Sequence, residues 1–194
     1  MNMKIKSTPS VFKCALGTAL IVLSAQASAA DGTITFEGSI SASSCTINAT
    51  GTRASFTVQL PKVGVNALAA AAQTAGDTPF SIRLSGCSDI AGNVSTNFEA
   101  GTAVDTATGR LNNTATVGGA KNVQLQLLNA SDGSAIVIGA PTASQNSHGV
   151  ALAPEAAESE VGVATLNYFA RYYATGAATA GSVSSLVTYS LIFP

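Results

Sequence analysis

Apolar and polar side chains alternate strictly in several short segments, and this period of two limits what the chain can fold into. Successive side chains of an extended strand point to opposite faces, so each segment predicts a strand with one buried face. These segments are 32–40, 54–60, 80–84, 122–128 and 186–194. Turn-forming residues separate them, and Asp132-Gly133 predicts a hairpin turn before a returning strand at 135–138. The pattern predicts an all-β sandwich.

Two stretches depart from this alternation. Residues 65–72, VNALAAAA, have a helix-forming composition and predict one or two helical turns. Residues 154–160, PEAAESE, are acidic and predict a solvated loop. Neither stretch is long enough to change the predicted class, and no linker divides the chain after its N-terminal region.

The first 29 residues have the organisation of a secretory signal peptide. Lys4, Lys6 and Lys13 give a basic start, and a mostly apolar run follows at 14–25. Small residues come next, so we expect cleavage somewhere between residues 27 and 30. The run is shorter than the roughly 20 residues that a membrane-spanning helix needs. The alternatives are an N-terminal core helix or a membrane anchor.

The remainder carries six basic and ten acidic residues, a formal net charge of −4. It has no basic patch, so nucleic acid is not an expected partner. Cys45 and Cys87 are its two cysteines. An even number of cysteines in an exported chain predicts one disulfide bond, with two buried free thiols as the alternative.

Residues that would indicate catalysis are scarce. The chain has one histidine, His148, which rules out a multi-histidine metal site. It has no G-x-S-x-G nucleophile elbow and no phosphate-binding glycine fingerprint. We therefore expect neither an enzyme nor a bound cofactor, and we interpret His148 as an exposed loop residue.

Four segments together resemble a known family. They are TITFEGSI followed by Cys45, the stretch 84–87 (LSGC), the stretch 122–136 and the stretch 168–183. In their order and spacing the chain resembles the type 1-like fimbrial major subunits that the chaperone–usher route assembles. The four segments extend over nearly all of the chain after residue 30.

The resemblance implies an incomplete immunoglobulin-like sandwich, the pilin fold, which a donor strand from a neighbouring subunit completes. It implies an N-terminal donor-strand extension at 30–41 and a pilin domain at 42–194. The donor strand's inward positions would be Gly32, Ile34, Phe36, Gly38 and Ile40. One edge of the receiving groove would be the C-terminal strand, with Val187, Tyr189, Leu191 and Phe193. From periodicity alone, residues 32–40 fit an ordinary first strand equally well.

The implied function is a structural subunit of a surface fimbria that supports cell adhesion. Its implied partners are identical subunits, a periplasmic chaperone and an outer-membrane usher, and it would pass through the periplasm to the cell surface. The alternatives are a minor adaptor or tip subunit and a secreted carbohydrate-binding β-sandwich. One departure concerns the end of the chain: the family usually has a penultimate tyrosine and a polar last residue, where this chain has Phe193 and Pro194.

Overall fold

The structure is a computed structural model that describes residues 45–49, 54–88, 91–157 and 159–193. The predicted signal peptide and the predicted donor strand 32–40 lie outside the described residues, as does Pro194.

Strands make up the framework of this part of the chain. In chain order they are β1 (Thr46–Ala49), β2 (Thr74–Cys87), β3 (Asn93–Phe98), β4 (Val104–Asp105), β5 (Arg110–Asn112), β6 (Val123–Asn129), β7 (Val150–Ala151), β8 (Ala153–Pro154), β9 (Gly162–Ala174) and β10 (Tyr189–Ile192). The larger sheet has the order β1-β2-β9-β6-β5-β4, and β8 pairs with β9. The smaller sheet has the order β10-β3-β7, and all these pairs are antiparallel.

The core lies between the two sheets, because both contribute side chains to one apolar cluster. Ile82 and Leu166 of the larger sheet are fully buried, as is Val94 of the smaller sheet. Tyr168 connects the sheets, with its ring centroid 5.4 Å from that of Phe80 and 5.4 Å from that of Phe98. The predicted all-β sandwich is therefore confirmed.

A disulfide joins Cys45 to Cys87. It connects the residue before β1 to the last residue of β2, the strand with which β1 pairs. The predicted cysteine pair is thus bonded at the edge of the larger sheet.

Several predicted elements differ in extent from those observed. Segment 80–84 is the middle of the much longer β2, and segment 122–128 corresponds to β6. The predicted helical turns shrink to one 3₁₀ helix at Val65–Leu68. The turn at Asp132-Gly133 forms, but the returning segment makes only an isolated bridge between Leu128 and Ala135.

Two of the predicted strands are largely without strand pairing in the structure, and they lie near one another. Segment 54–60 has no strand at all, and the C-terminal segment is a strand only at Tyr189–Ile192. Strand assignment requires a hydrogen-bonded neighbour, which alternation of side chains does not provide. No helix in the described part of the chain is long and apolar enough to cross a membrane.

A candidate strand-accepting groove

An open apolar groove of about 570 Å³ lies between two extended segments. We call residues 54–60 the first rim and residues 185–189 the second rim. The floor consists of core side chains from both sheets: Phe80, Phe98, Leu111, Leu125, Leu127 and Ala170. None of the described residues that line the groove is charged, so it suits an apolar occupant.

The first rim keeps the period of two that its sequence predicts. Phe56, Val58 and Leu60 are half-buried and pack against the core, whereas Thr57 and Gln59 are exposed. The Phe56 ring centroid lies 6.1 Å from that of Phe80 on the floor. The side chains thus adopt the pattern of a strand although the backbone has no strand partner among the described residues.

The second rim continues directly into β10. Val187 and Tyr189 are half-buried against the core, and Leu186, which precedes them, is 64% exposed. Below the rim, β10 is fastened to the end of β3, where the Ser190 hydroxyl donates to a Glu99 carboxylate oxygen at 2.6 Å. That hydrogen bond lowers the pKa of Glu99.

Part of the backbone of each rim has no backbone partner within the described part of the chain. Among the described residues, no backbone–backbone hydrogen bond involves 55–60 or 185–187. Ser185 adds a buried hydroxyl without a hydrogen-bond partner. Unpaired backbone edges are a template for another strand, and here two such edges flank a single apolar trough. The arrangement has the features of a sandwich with one strand missing.

The structure places the predicted C-terminal residues as follows. Val187 and Tyr189 line the groove. Leu191 lies within β10 opposite Thr96 of β3, and Phe193 follows that strand and packs against the core. The inward donor positions Gly32, Ile34, Phe36, Gly38 and Ile40 lie outside the described residues.

Sequence reasoning missed the first rim and the floor as parts of the site. The available signal was the alternation of Phe56, Val58 and Leu60, which ends at Pro61. That alternation indicated a strand but did not indicate that its hydrogen-bonding edge would be left open. The floor residues were interpretable from sequence only as core.

His148 has a structural role in the loops. It is exposed, with Nδ1 3.2 Å from the Ser131 hydroxyl and Nε2 3.2 Å from Asn146 Oδ1. No group of three or more possible metal-ligating side chains exists within the described ranges.

Comparison with known proteins gives the family. The model of the family "Type-1 fimbrial protein, A" matches residues 60–194. The chain belongs to the type-1 fimbrial protein family. Among its relatives, the major fimbrial subunit SMF-1 of Stenotrophomonas maltophilia (strain K279a) is 49% identical over 170 residues, 86% of this chain and 95% of the relative. The F17 fimbrial protein of Escherichia coli is 41% identical over 182 residues, 92% of this chain and 96% of the relative.

Solved structures show the same fold. A chaperone–usher pilus subunit has a TM-score of 0.57 at 18% identity, with 85% of this chain and 96% of that chain covered. The P pilus rod subunit PapA has a TM-score of 0.55 at 18% identity, with 77% and 99% covered. Both likenesses confirm the predicted pilin-type sandwich.

This type-1 fimbrial protein is therefore a structural subunit of a cell-surface fimbria. Its family is structural and not enzymatic, which agrees with the sequence interpretation. The secreted carbohydrate-binding sandwich that remained open on sequence alone has no support from these relatives.

Proposed function

We propose that the groove accepts the N-terminal segment 32–40 of a second copy of this chain, so that subunits polymerise by donor-strand exchange. The observation that carries the proposal is the apolar groove with an unpaired backbone edge on each side. Strand addition uses both features, because main-chain hydrogen bonds give affinity and alternate side chains fill the trough.

The length of the groove suits this donor. Six rim residues, 55–60, extend over roughly 20 Å as a strand. The donor segment has nine residues, enough to follow that edge and leave a short connection to the next subunit.

The donor's two faces also suit the site. Ile34, Phe36 and Ile40 share one face with Gly32 and Gly38, and the opposite face carries Thr33, Thr35, Glu37 and Ser39. The apolar face would lie on the uncharged floor and the polar face would lie in water. Gly38 would lie on this apolar face at a position where, as the family resemblance implies, the groove tolerates no side chain.

The energies are large enough to hold a fibre together. Burial of Ile34, Phe36 and Ile40 would contribute roughly 1.5–3 kcal/mol for each side chain. Each backbone hydrogen bond to a rim adds about 0.5–1.5 kcal/mol net. Their sum is comparable with the whole stability of a typical domain, about 5–15 kcal/mol. A subunit with an empty groove would accordingly be unstable.

This instability supports a role for two partners before assembly. A periplasmic chaperone would cover the groove, and an outer-membrane usher would bring subunits together at the cell surface. Export would use residues 1–29 as a signal peptide, with the mature chain starting between Ser28 and Asp31. N-terminal sequencing of surface fimbriae tests this start; a mature chain that retains Met1 or begins beyond Ile34 would contradict it.

We propose the major shaft subunit over a minor one. The relative that is 49% identical is itself named a major subunit, and the minor fimbrial subunit HifD of Haemophilus influenzae is 37% identical over 171 residues. Quantitative mass spectrometry of purified fimbriae tests the choice, because a shaft subunit is the most abundant protein in them.

The decisive experiment changes the donor and leaves the groove intact. Phe36→Asp places a charge on the apolar face, and Gly38→Leu overpacks it, which costs about 1–3 kcal/mol or more. We expect both variants to co-purify with the chaperone and to form no fibres. Thr35→Asp is the matched control, since it adds the same charge to the solvent face and should assemble normally.

Two outcomes contradict the proposal. Wild-type amounts of fibre from both donor variants would show that residues 32–40 are not the donor strand. Loss of chaperone binding together with loss of fibres would show that these residues belong to the subunit's own core.

A further inference from the structure

The first rim is fastened at both ends by tyrosine hydroxyls. The Tyr189 hydroxyl donates to the Ala54 carbonyl at 2.7 Å, and the Tyr172 hydroxyl donates to the Pro61 carbonyl at 3.2 Å. Between these points the backbone of 55–60 has no backbone–backbone hydrogen bond to the described residues. The two tyrosines thus bracket the free edge.

Tyr189 crosses from one rim to the other. It belongs to the second rim, yet its hydroxyl reaches the first rim at Ala54. A gap that is one strand wide requires roughly 9.5 Å between the flanking strands, which is twice the usual spacing. The bridge from the Tyr189 backbone through its ring to the Ala54 carbonyl fixes the separation of the rims at that end.

Tyr172 holds the other end of the first rim, at Pro61, and the backbone of β2 leaves space for its ring. A bulge interrupts the pairing of β2 with β9 between Ala75 and Thr78. Gly76 lies in this bulge at φ +74°, and a Cβ there would approach the Tyr172 ring to 3.1 Å and Pro61 Cγ to 3.3 Å. The absence of a side chain lets the ring lie against β2 and reach Pro61.

Both hydroxyls remain hydrogen-bond donors over the physiological range. Burial raises the pKa of Tyr189 and that of Tyr172 above the ordinary tyrosine value. The donors therefore do not depend on pH under the conditions in which fimbriae assemble.

We propose that Tyr189 and Tyr172 are positioning residues of the groove, whose hydroxyls keep the first rim extended and open before the donor strand arrives. This inference rests on the proposed function. A rim that is held in the receiving conformation spares the incoming strand the entropy of ordering it. When only a fraction of subunits has a competent rim, uptake slows in proportion to that fraction.

The test measures uptake of a synthetic peptide with the sequence of residues 31–41. The full mature subunit is released from fibres in denaturant, diluted, and mixed with an excess of the fluorescently labelled peptide. We expect Tyr189→Phe and Tyr172→Phe each to slow uptake by about two- to tenfold, the effect of losing one hydrogen bond. The thermal midpoint of the peptide-completed subunit should hardly change, because ladder hydrogen bonds then hold the rim.

Tyr173→Phe is the matched control. Tyr173 is the next residue along β9, its ring lies 3.6 Å beneath the Arg110 guanidinium, and its hydroxyl has no hydrogen bond within the described residues. This variant should take up the peptide at the wild-type rate.

The outcomes separate this inference from the proposed function. If the wild-type subunit takes up no peptide, donor-strand exchange itself is wrong. If the wild type takes it up and both tyrosine variants match its rate, only the positioning role is wrong. A fall in the thermal midpoint of the completed subunit that accounts for the slower uptake would reduce the tyrosines to ordinary stabilising residues, which also overturns the inference.

Discussion

Two regions of this sandwich have backbone outside the regular strands beside a buried core. They differ in how the hydrogen-bonding groups of that backbone are satisfied. Near residues 140–145, the end of β3 pairs with β10 on one edge, and the Gln145 side chain, which is 1% exposed, takes a strand's place on the other. Its Oε1 accepts from the Phe98 N–H at 2.6 Å, and its Nε2 donates to the Phe98 carbonyl at 2.9 Å. In the groove, the described backbone of the first rim has such side-chain partners at its two ends and none between them.

Asn129 repeats the closed arrangement nearby. Its side-chain amide is buried and donates to the Asn146 carbonyl at 2.7 Å, while its Oδ1 accepts from the His148 N–H at 2.9 Å. The sequence thus supplies amide side chains where the backbone must be satisfied within one subunit. Within the described residues, no such amide hydrogen-bonds to the backbone of 55–60 or 185–187, as the proposed function requires of edges that receive another backbone.

The largest expected effect is a loss of stability, and it compares a residue of the groove floor with a core residue outside the groove. Phe80→Ala removes a ring that contacts Phe56 and Tyr168, and we expect a loss of about 3–5 kcal/mol. Denaturant unfolding of the peptide-completed subunit measures this loss, and we also expect faster dissociation of the donor peptide. Ile82→Ala, two residues along β2 and outside the groove lining, is the control.

That control should destabilise the subunit by a similar amount, about 2–5 kcal/mol. It should leave the dissociation rate of the donor peptide unchanged. If the two variants change this rate equally, the floor does not differ functionally from the rest of the core.

Reduction of the disulfide should affect the two regions unequally. Cys45 and Cys87 are 42 residues apart, and the first rim lies within the loop they close. Closing such a loop contributes about 4 kcal/mol in the chain-entropy model. In the reduced, strand-completed subunit, hydrogen exchange followed by mass spectrometry should increase first at residues 55–60 and later at Phe98. A uniform increase would contradict this order.

Loss of the Gln145 side-chain amide, which takes the place of a strand beside Phe98, should lower the stability of the subunit. Gln145→Leu leaves the buried Phe98 N–H without its side-chain acceptor, whereas the Phe98 carbonyl still accepts from the Gly139 N–H at 3.2 Å, and we expect a cost of about 1–3 kcal/mol. Gln59→Leu is the matched control on the exposed side of the first rim, where a change within about 0.5 kcal/mol is expected. Denaturant midpoints of the two completed variants make the comparison. Equal midpoints would mean that Gln145 does not replace a strand.

The smallest effect concerns the orphaned hydroxyl of Ser185. It has no partner within the residues that the structure describes, so Ser185→Ala should raise the stability of the open subunit by no more than about 1 kcal/mol. A docked donor strand brings backbone groups to this position, so the same variant should bind the peptide about two- to tenfold more weakly. Isothermal titration calorimetry of the donor peptide into the variant and the wild-type subunit measures the two affinities. Equal affinities would show that the hydroxyl stays unpaired in the complex.

Alternation was sufficient to predict the strands whose buried positions are large and apolar, as in β6. It failed for β9, whose inward positions include Gly162, Ala164 and Ala170, because small residues hide the period. It failed for β3 because buried Thr96 lies between Val94 and Phe98.

The groove was predictable only in part, for a different physical reason. The C-terminal edge was predicted from the family resemblance, and Val187 and Tyr189 of that segment line the groove. The first rim looked like any other strand, since an empty hydrogen-bonding edge leaves no mark in the side-chain pattern. The bracketing contacts join residues far apart in sequence, Tyr189 with Ala54 and Tyr172 with Pro61, and local patterns do not encode such pairs.

The disulfide also has a mechanical consequence for a fimbria under tension. If residues 32–40 are the donor strand, as we propose, a pulling force that enters a subunit through them passes from Cys45 through a covalent bond to the end of β2. It thereby bypasses β1, a strand of only four residues, and loads β2 and β9 along their shared length of antiparallel pairing. In an oxidised subunit the domain would therefore resist shear along its longest ladder, whereas a reduced one would begin to unzip at its shortest.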